Sequence, residues 1–318
     1  YQGSIPLGRG FIFEQDPDNN ETNDIELVSS LLKGRTENCE ALQSYYVGSD
    51  FTSSTKATGN KYIINFKDHD ESYVKSKWPE LYQIVFEKVK PERDKQKRKP
   101  RREKWWQYAE KSLGLYKAIS GLDRVLVCNQ TGKFTNFSYL PGNSVYDQTL
   151  LVFAFSEIWT FGVLQSTVHD EWARFFGATL KTDRKYTPKD CFRNYPLPKF
   201  SKSDDFLSET SKKYIKKRQN IMENRRIGLT EIYSLFHNPN ITDKDICEFR
   251  TSHVNLDKSV LSAYDWDDIV LQYIFEQDYE VDEGKSIPWR YRWPDDIRDE
   301  VLSRLLALNK ERHQREAR

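Results

Sequence analysis

Two kinds of residue in this 318-residue chain have the chemistry for a functional site. Acids and histidines can hold a metal or move a proton, and cations and amides can grip a polyanion. The first kind is scattered. None of the five histidines, His69, His169, His237, His253 and His313, stands at ligand spacing from Cys39, Cys128, Cys191 or Cys247, and the cysteines lie 89, 63 and 56 residues apart. A zinc site needs clustered Cys and His, so the thiols read as free and the compartment as reducing. His253 falls on the apolar stripe of an expected helix, where a histidine reads as a satisfied core residue rather than a catalyst, and His169 reads the same way. Asp265, Asp267 and Asp268 form a dense acid cluster. No further ligand accompanies them, and Trp266 in their midst points to a helix start capped by acids rather than a metal site. No GxGxxG, GxxxxGK, HExxH or GxSxG occurs, so no motif supports catalysis.

The second kind is concentrated. Lys plus Arg number 49 against 48 Asp plus Glu, so the net charge of +1 names no partner. Its distribution says more: Lys88 to Lys104 holds ten basic residues and three acidic ones, and Lys212 to Arg226 seven and one. Asp265 to Glu283 holds eight acids and no base. Segregation of this kind costs self-repulsion and suits a polyanionic partner for the basic part, although solvated helix faces would look similar. Lys95 to Lys104 runs directly into Trp105 and Trp106, as on a surface where cations neutralise phosphates and rings pack beneath or stack. Ordinary core is the other reading of that tryptophan pair. The polar stretch 128–149 carries Asn129, Gln130, Thr131, Lys133, Thr135 and Asn136. Amides pair with adenine in a bidentate way and Lys donates to guanine, whereas a hairpin connection would use the same Asn and Gly residues for turns.

The elements that would position these groups fall into two parts. Residues 1–13 suggest a turn and short strand, 14–24 a loop, and Lys61–Phe66 a buried strand. Trp78, Leu81, Tyr82, Val85 and Val89 predict a helix over about 76–89 with Pro79 in its first turn. Strands are expected at 124–127 and 150–155 and a helix over 161–176, ending before Tyr195-Pro196-Leu197-Pro198. Everything past residue 200 reads helical. The first helix is capped by Ser203 or Asp204 and runs to about 224, and the next is carried by Leu229, Ile232, Tyr233 and Phe236. A third opens at a Thr242–Asp245 capping box, and a last starts at Pro294 with a charged tail over 310–318. The expected class is therefore α+β: a mixed α/β domain over 1–198, then an all-helical domain over 199–318. No apolar run is long enough for a membrane helix. With no signal peptide at its start, the chain reads as cytoplasmic. Because it opens at Tyr1 within an apparent strand-and-turn unit, and its one methionine is Met222, it reads as a piece of something longer.

Several stretches resemble one family. They include Tyr1-Gln2-Gly3-Ser4, Gly8-Arg9-Gly10-Phe11, Ile63–Phe66, Val89–Arg93, Trp105-Trp106-Gln107, Arg124–Val127, Leu164-Gln165-Ser166, Tyr186–Phe192, Gly228-Leu229-Thr230, Tyr264–Asp268 and Leu302–Asn309. Together they are similar to the target-recognition and C-terminal helical parts of MmeI-type restriction–modification enzymes, and to the related adenine methyltransferases of DISARM and BREX phage-defence systems. The resemblance implies sequence-specific recognition of double-stranded DNA by a non-catalytic part of an adenine-N6 methyltransferase. It places the S-adenosylmethionine loop and an Asn-Pro-Pro-Tyr motif in a methyltransferase domain upstream. Asn194-Tyr195-Pro196 is not that motif, so no cofactor is expected in this chain. It further implies that Asn129, Gln130, Thr131, Lys133, Thr135 and Asn136 read bases. Lys97, Arg98, Arg101, Arg102 and Lys104 would hold phosphates, with Arg184 and Lys185 as secondary candidates. The helices past 200 would close over DNA or brace the recognition domain, with Lys212–Arg226 as their DNA contact. The competing function is a module that docks a partner subunit of a defence complex through the acidic 265–283 segment.

Overall fold

The β-branched and aromatic stretch before residue 67 forms the strand Tyr62–Ile64, between the strands Ile12–Glu14 and Leu42–Tyr46, antiparallel to both. Asn23–Asp24 and Val145–Tyr146 add parallel edges, giving a mixed five-stranded sheet. The computed structural model describes residues 1–15, 21–55, 60–180, 183–199, 205–277 and 289–316. The loop expected over 14–24, the caps at Ser203 and Asp204, the end of the acidic 265–283 segment and the tail at 317–318 thus lie wholly or partly outside the described residues.

Two compact units emerge, Tyr1–Asp50 with Ala57–Val127 and Tyr139–Ala154, and Phe51–Lys56 with Cys128–Ser138 and Phe155–Arg318. They divide the chain differently from a boundary at 198, because residues 128–138 and 155–199 pack with the later helices. In the first unit, Phe11, Phe13, Ile63, Phe66, Trp78, Val85 and Trp105 form the core against the sheet. The helix expected over 76–89 is two helices, Glu71–Lys77 and Pro79–Lys88. Trp78 separates them in a non-helical conformation, since a residue before proline is pushed out of the helical region. Pro79 opens the second helix, as expected. A three-stranded sheet sets Arg124–Asn129 between Phe137–Pro141 and Leu150–Phe153.

The second unit is mostly helical. The helix expected over 161–176 is again two, Ile158–Gln165 and Thr167–Phe176. Ser166 breaks the pair with extended backbone and accepts the His169 N–H on its hydroxyl, as an N-cap does. Asp205–Arg225, Leu229–Phe236, Lys244–Ala263 and Asp295–Glu316 follow. Leu229, Ile232, Tyr233 and Phe236 are all buried, as their spacing predicts. The capping box is not formed: Lys244–Ala263 starts after Asp243, with no side-chain cap, and Asp245 instead chelates Arg225 at 2.8 and 2.6 Å. Among the described residues past 200, an antiparallel ladder between Ile274–Gln277 and Trp289–Arg292 joins the helices. The α+β class holds throughout.

Candidate nucleic-acid interface

The polar stretch over 128–149 contains strands. Thr131–Gly132 pairs with Asp183–Lys185, Gly132 opposite Arg184 and Thr131 opposite Lys185, and Ala178–Leu180 completes the sheet. The Tyr186 N–H donates to the Gln130 carbonyl at 2.8 Å. Two candidate groups 50 residues apart in the chain, 130–136 and 184–185, are thereby joined in one small sheet. At its tip Lys133 is exposed, while Asn129, Gln130, Thr131 and Thr135 are half-buried. Asn136 is buried, and its Oδ1 finds no hydrogen-bond partner among the described residues.

Asn136, Thr135 and Arg184 line a cavity of about 50 Å³ with Glu171, His237 and Arg292. Arg184 is already engaged there by Asp170 at 2.6 Å. Burial pushes the Glu171 carboxyl up to about 7, against the pull of Arg174. Burial also lowers His169 to about 4 and drives His237 well below the ordinary histidine range, helped by the Arg290 charge. Glu171, with a folded pKa above its unfolded value, contributes stability that is complete at acid pH and lost as pH rises towards 7. Glu171→Gln should therefore gain on the wild type between pH 5 and pH 8, by roughly 2–3 kcal/mol. Chemical denaturation at the two pH values measures this, and an equal difference at both contradicts it.

His169 is fully buried, its Nδ1 2.9 Å from the Leu164 carbonyl and its Nε2 3.1 Å from the Tyr186 hydroxyl. His253 lies between Thr167 Oγ1 and the Tyr214 hydroxyl, at 3.0 and 3.2 Å. Both are hydrogen-bonded core histidines, as their positions suggested. The acid cluster does not start a helix: Asp265–Asp268 follow the end of Lys244–Ala263 as a turn, with Asp265 at φ 60°. Asp268 accepts both arms of Arg304 at 2.8 and 2.6 Å, and Glu276 pairs with Arg292 at 2.6 Å. Two acids of the segment suggested for partner docking are therefore bound within the chain. Among the described residues no cluster of three or more His, Cys, Asp or Glu could hold a metal, and no helix is long and apolar enough to cross a membrane.

The basic run belongs to the first unit, on the short helices Lys90–Asp94 and Lys99–Glu103. Trp105 and Trp106 beneath it are core, with the Trp106 ring N–H donating to the His69 carbonyl at 3.0 Å. Arg93 is fully buried and donates to the Pro6 and Gln107 carbonyls at 2.7 and 2.9 Å. Arg102 closes the turn before its own helix by donating to the Gln96 and Lys97 carbonyls at 2.6 and 2.9 Å. Arg101 is half-buried, 3.9 Å from Glu110. Lys97, Arg98 and Lys104 are exposed.

The basic helix residues 212–226 are more committed than their number suggests. Arg218 is buried, Arg225 is held by Asp245, Lys217 pairs with Glu248 and Lys212 with Glu209. Lys213, Lys216 and Arg226 are exposed.

The α+β chain thus carries a partly exposed polar loop over 130–136 in one unit and the exposed cations Lys97, Arg98 and Lys104 in the other. The family model described as MmeI, target recognition domain, matches residues 24–199, and the chain belongs to that family. No curated protein matches it. Among solved structures it is similar to the type IIL restriction–modification enzyme MmeI in complex with DNA. The TM-score is 0.65 and the identity 16%, over 98% of this chain and 35% of that one. The chain thus spans about a third of the length of that enzyme.

Proposed function

We propose that this chain reads a short double-stranded DNA sequence on behalf of a larger modification enzyme of the type IIL kind. The observation that carries the reading is the small sheet that brings 130–136 and 184–185 together, in a chain of the MmeI target-recognition family. Lys133, Gln130, Thr131 and Thr135 are the groups of the loop with surface left for base edges. Asn129 and Asn136 stand at its base, Asn129 half-buried and Asn136 buried, and would read bases there if the loop opens towards a groove. Lys97, Arg98 and Lys104, helped by Arg101, would neutralise phosphates and set register, and Arg102 would hold their turn in shape. Lys185 would add a phosphate contact beside the loop, while Arg184 serves the frame. Residues 1–198 act in this reading as the recognition part, and 199–318 brace it. Adenine-N6 methylation with S-adenosylmethionine would belong to a domain preceding this segment in the parent protein, acting in the bacterial cytoplasm against phage DNA.

Lys133→Ala is expected to relax preference at one base position, costing roughly 1–3 kcal/mol of discrimination, with affinity for unrelated sequences little changed. A randomised-site selection on wild type and variant measures this. Equal weakening on every sequence would make Lys133 a phosphate contact and remove it from base readout.

A further inference from the structure

The groups that fix the 131–137 loop come mostly from beyond the segment that the family model matches. At the inner end, Arg218 is buried and donates to the Phe137 carbonyl at 2.9 Å, the Tyr233 hydroxyl at 3.2 Å and Gln165 Oε1 at 3.3 Å. Gln165 Oε1 also accepts the Phe137 N–H at 2.9 Å. Both backbone groups of Phe137 are thus held by two buried side chains. At the outer end, the Phe134 ring stacks on His237, with centroids 4.9 Å apart and planes 17° from parallel. The Arg290 guanidinium lies 4.7 Å from that ring, and its Nη2 donates to the Lys133 carbonyl at 3.1 Å. His237 is itself fixed, its Nδ1 accepting the Tyr291 N–H at 3.0 Å. Beyond the ladder at Thr131–Gly132, the sequence offers little local to do this work, since residues 130–136 have no proline.

We infer that Arg218, His237 and Arg290 are specificity-positioning residues: they hold the backbone of 131–137 in the conformation from which Lys133 and its neighbours read bases. The inference rests on the base-reading role proposed above. Its consequence is that the 24–199 segment does not set its specificity alone, because part of the frame of its loop is supplied by Arg218, His237 and Arg290. A guanidinium stacked on Phe134 and bonded to the Lys133 carbonyl fixes the backbone direction from which the Lys133 side chain departs. A small rotation there moves the ammonium away from a guanine edge while leaving its charge near the duplex. Discrimination should therefore fall while electrostatic binding persists.

The test uses Arg290→Ala and His237→Ala in the full chain, with Arg290→Lys as the conservative partner, since Arg218→Ala risks the fold itself. Hydrogen exchange of the 131–137 amides is followed together with the ratio of affinities for the selected duplex and one altered at a single base. The expected result is exchange at least about tenfold faster in that segment alone, and a discrimination ratio reduced about tenfold. The salt slope should stay unchanged and Arg290→Lys should recover part of the ratio. Unchanged exchange and an unchanged ratio, in variants where Lys133→Ala does alter preference, would overturn the inference and leave the base-reading role intact. Accelerated exchange in a protein whose base preference ignores Lys133 would uphold the positioning of the loop and sink the base-reading role instead.

Discussion

Replacing Lys97, Arg98 and Lys104 together by Gln is expected to lower the slope of log affinity against log salt by about 2.7, at about 0.9 per phosphate contact. At physiological salt the same arithmetic gives a loss of affinity on the order of 10²-fold, equal for matched and mismatched duplexes. The physical ground is their exposure: all three can release counterions from DNA without giving up a contact the fold needs. Arg102 is the informative contrast. Its guanidinium is spent on the Gln96 and Lys97 carbonyls, so Arg102→Gln should loosen the turn and lower Tm while changing the slope little. A titration of labelled duplex at four or five salt concentrations separates the two behaviours. A triple variant with an unaltered slope would take this surface out of the interface.

The second large effect concerns stability. Arg218→Leu removes a buried guanidinium that serves three acceptors, the Phe137 carbonyl, Gln165 Oε1 and the Tyr233 hydroxyl. Leucine fills part of the volume and makes none of these bonds. The stranded carbonyl bears the main penalty, because bonds to a charged donor contribute more than neutral ones and a buried acceptor left alone keeps its desolvation cost. The expected loss is about 3 kcal/mol, among the larger values for one substitution. Tyr233 still has Tyr214 at 2.8 Å and Gln165 still has the Phe137 N–H, which limits the damage to the carbonyl side. Arg218→Lys keeps one charged donor within the same space and should recover about half of the loss. Denaturant unfolding with the slope m held in view measures both, and a loss under about 1 kcal/mol for the leucine variant would mean that the three bonds add little.

Much of this architecture was legible because its signals are local. The Lys61–Phe66 stretch reads as a buried strand from residue type alone, and Leu229, Ile232, Tyr233 and Phe236 read as one buried face from spacing alone. His253 can be assigned to the core from the apolar stripe it sits on, and His169 reads the same way. The breaks were missed because an apolar period runs smoothly across a cap: the residues on either side of Trp78 and Ser166 keep helical spacing, and one extended residue restarts the count. The ladder between Ile274–Gln277 and Trp289–Arg292 was hidden by the acidic residues around it, which suggest solvent rather than pairing. The Trp105–Trp106 pair was ambiguous between stacking surface and core, and burial decides for core.

The site was half legible for a related reason. Side chains suited to a base edge or a phosphate can be nominated by chemistry, as Lys133, Gln130, Lys97 and Arg98 are. Side chains that fix the backbone beneath them act across the chain, as Arg290 does on Lys133 at a separation of 157 residues. No spacing rule reaches that far. The resembling stretches make more sense in this light: Arg93 and the backbone of Gln107 meet each other, and Gln165 meets Phe137, so several of them are fixtures of the frame rather than contacts.

The most direct test of DNA reading is a competition titration of this chain against short duplexes at several salt concentrations, run beside a randomised-site selection. Sequence-specific recognition predicts a steep salt slope together with an enriched short motif. Absence of binding at low salt would contradict it.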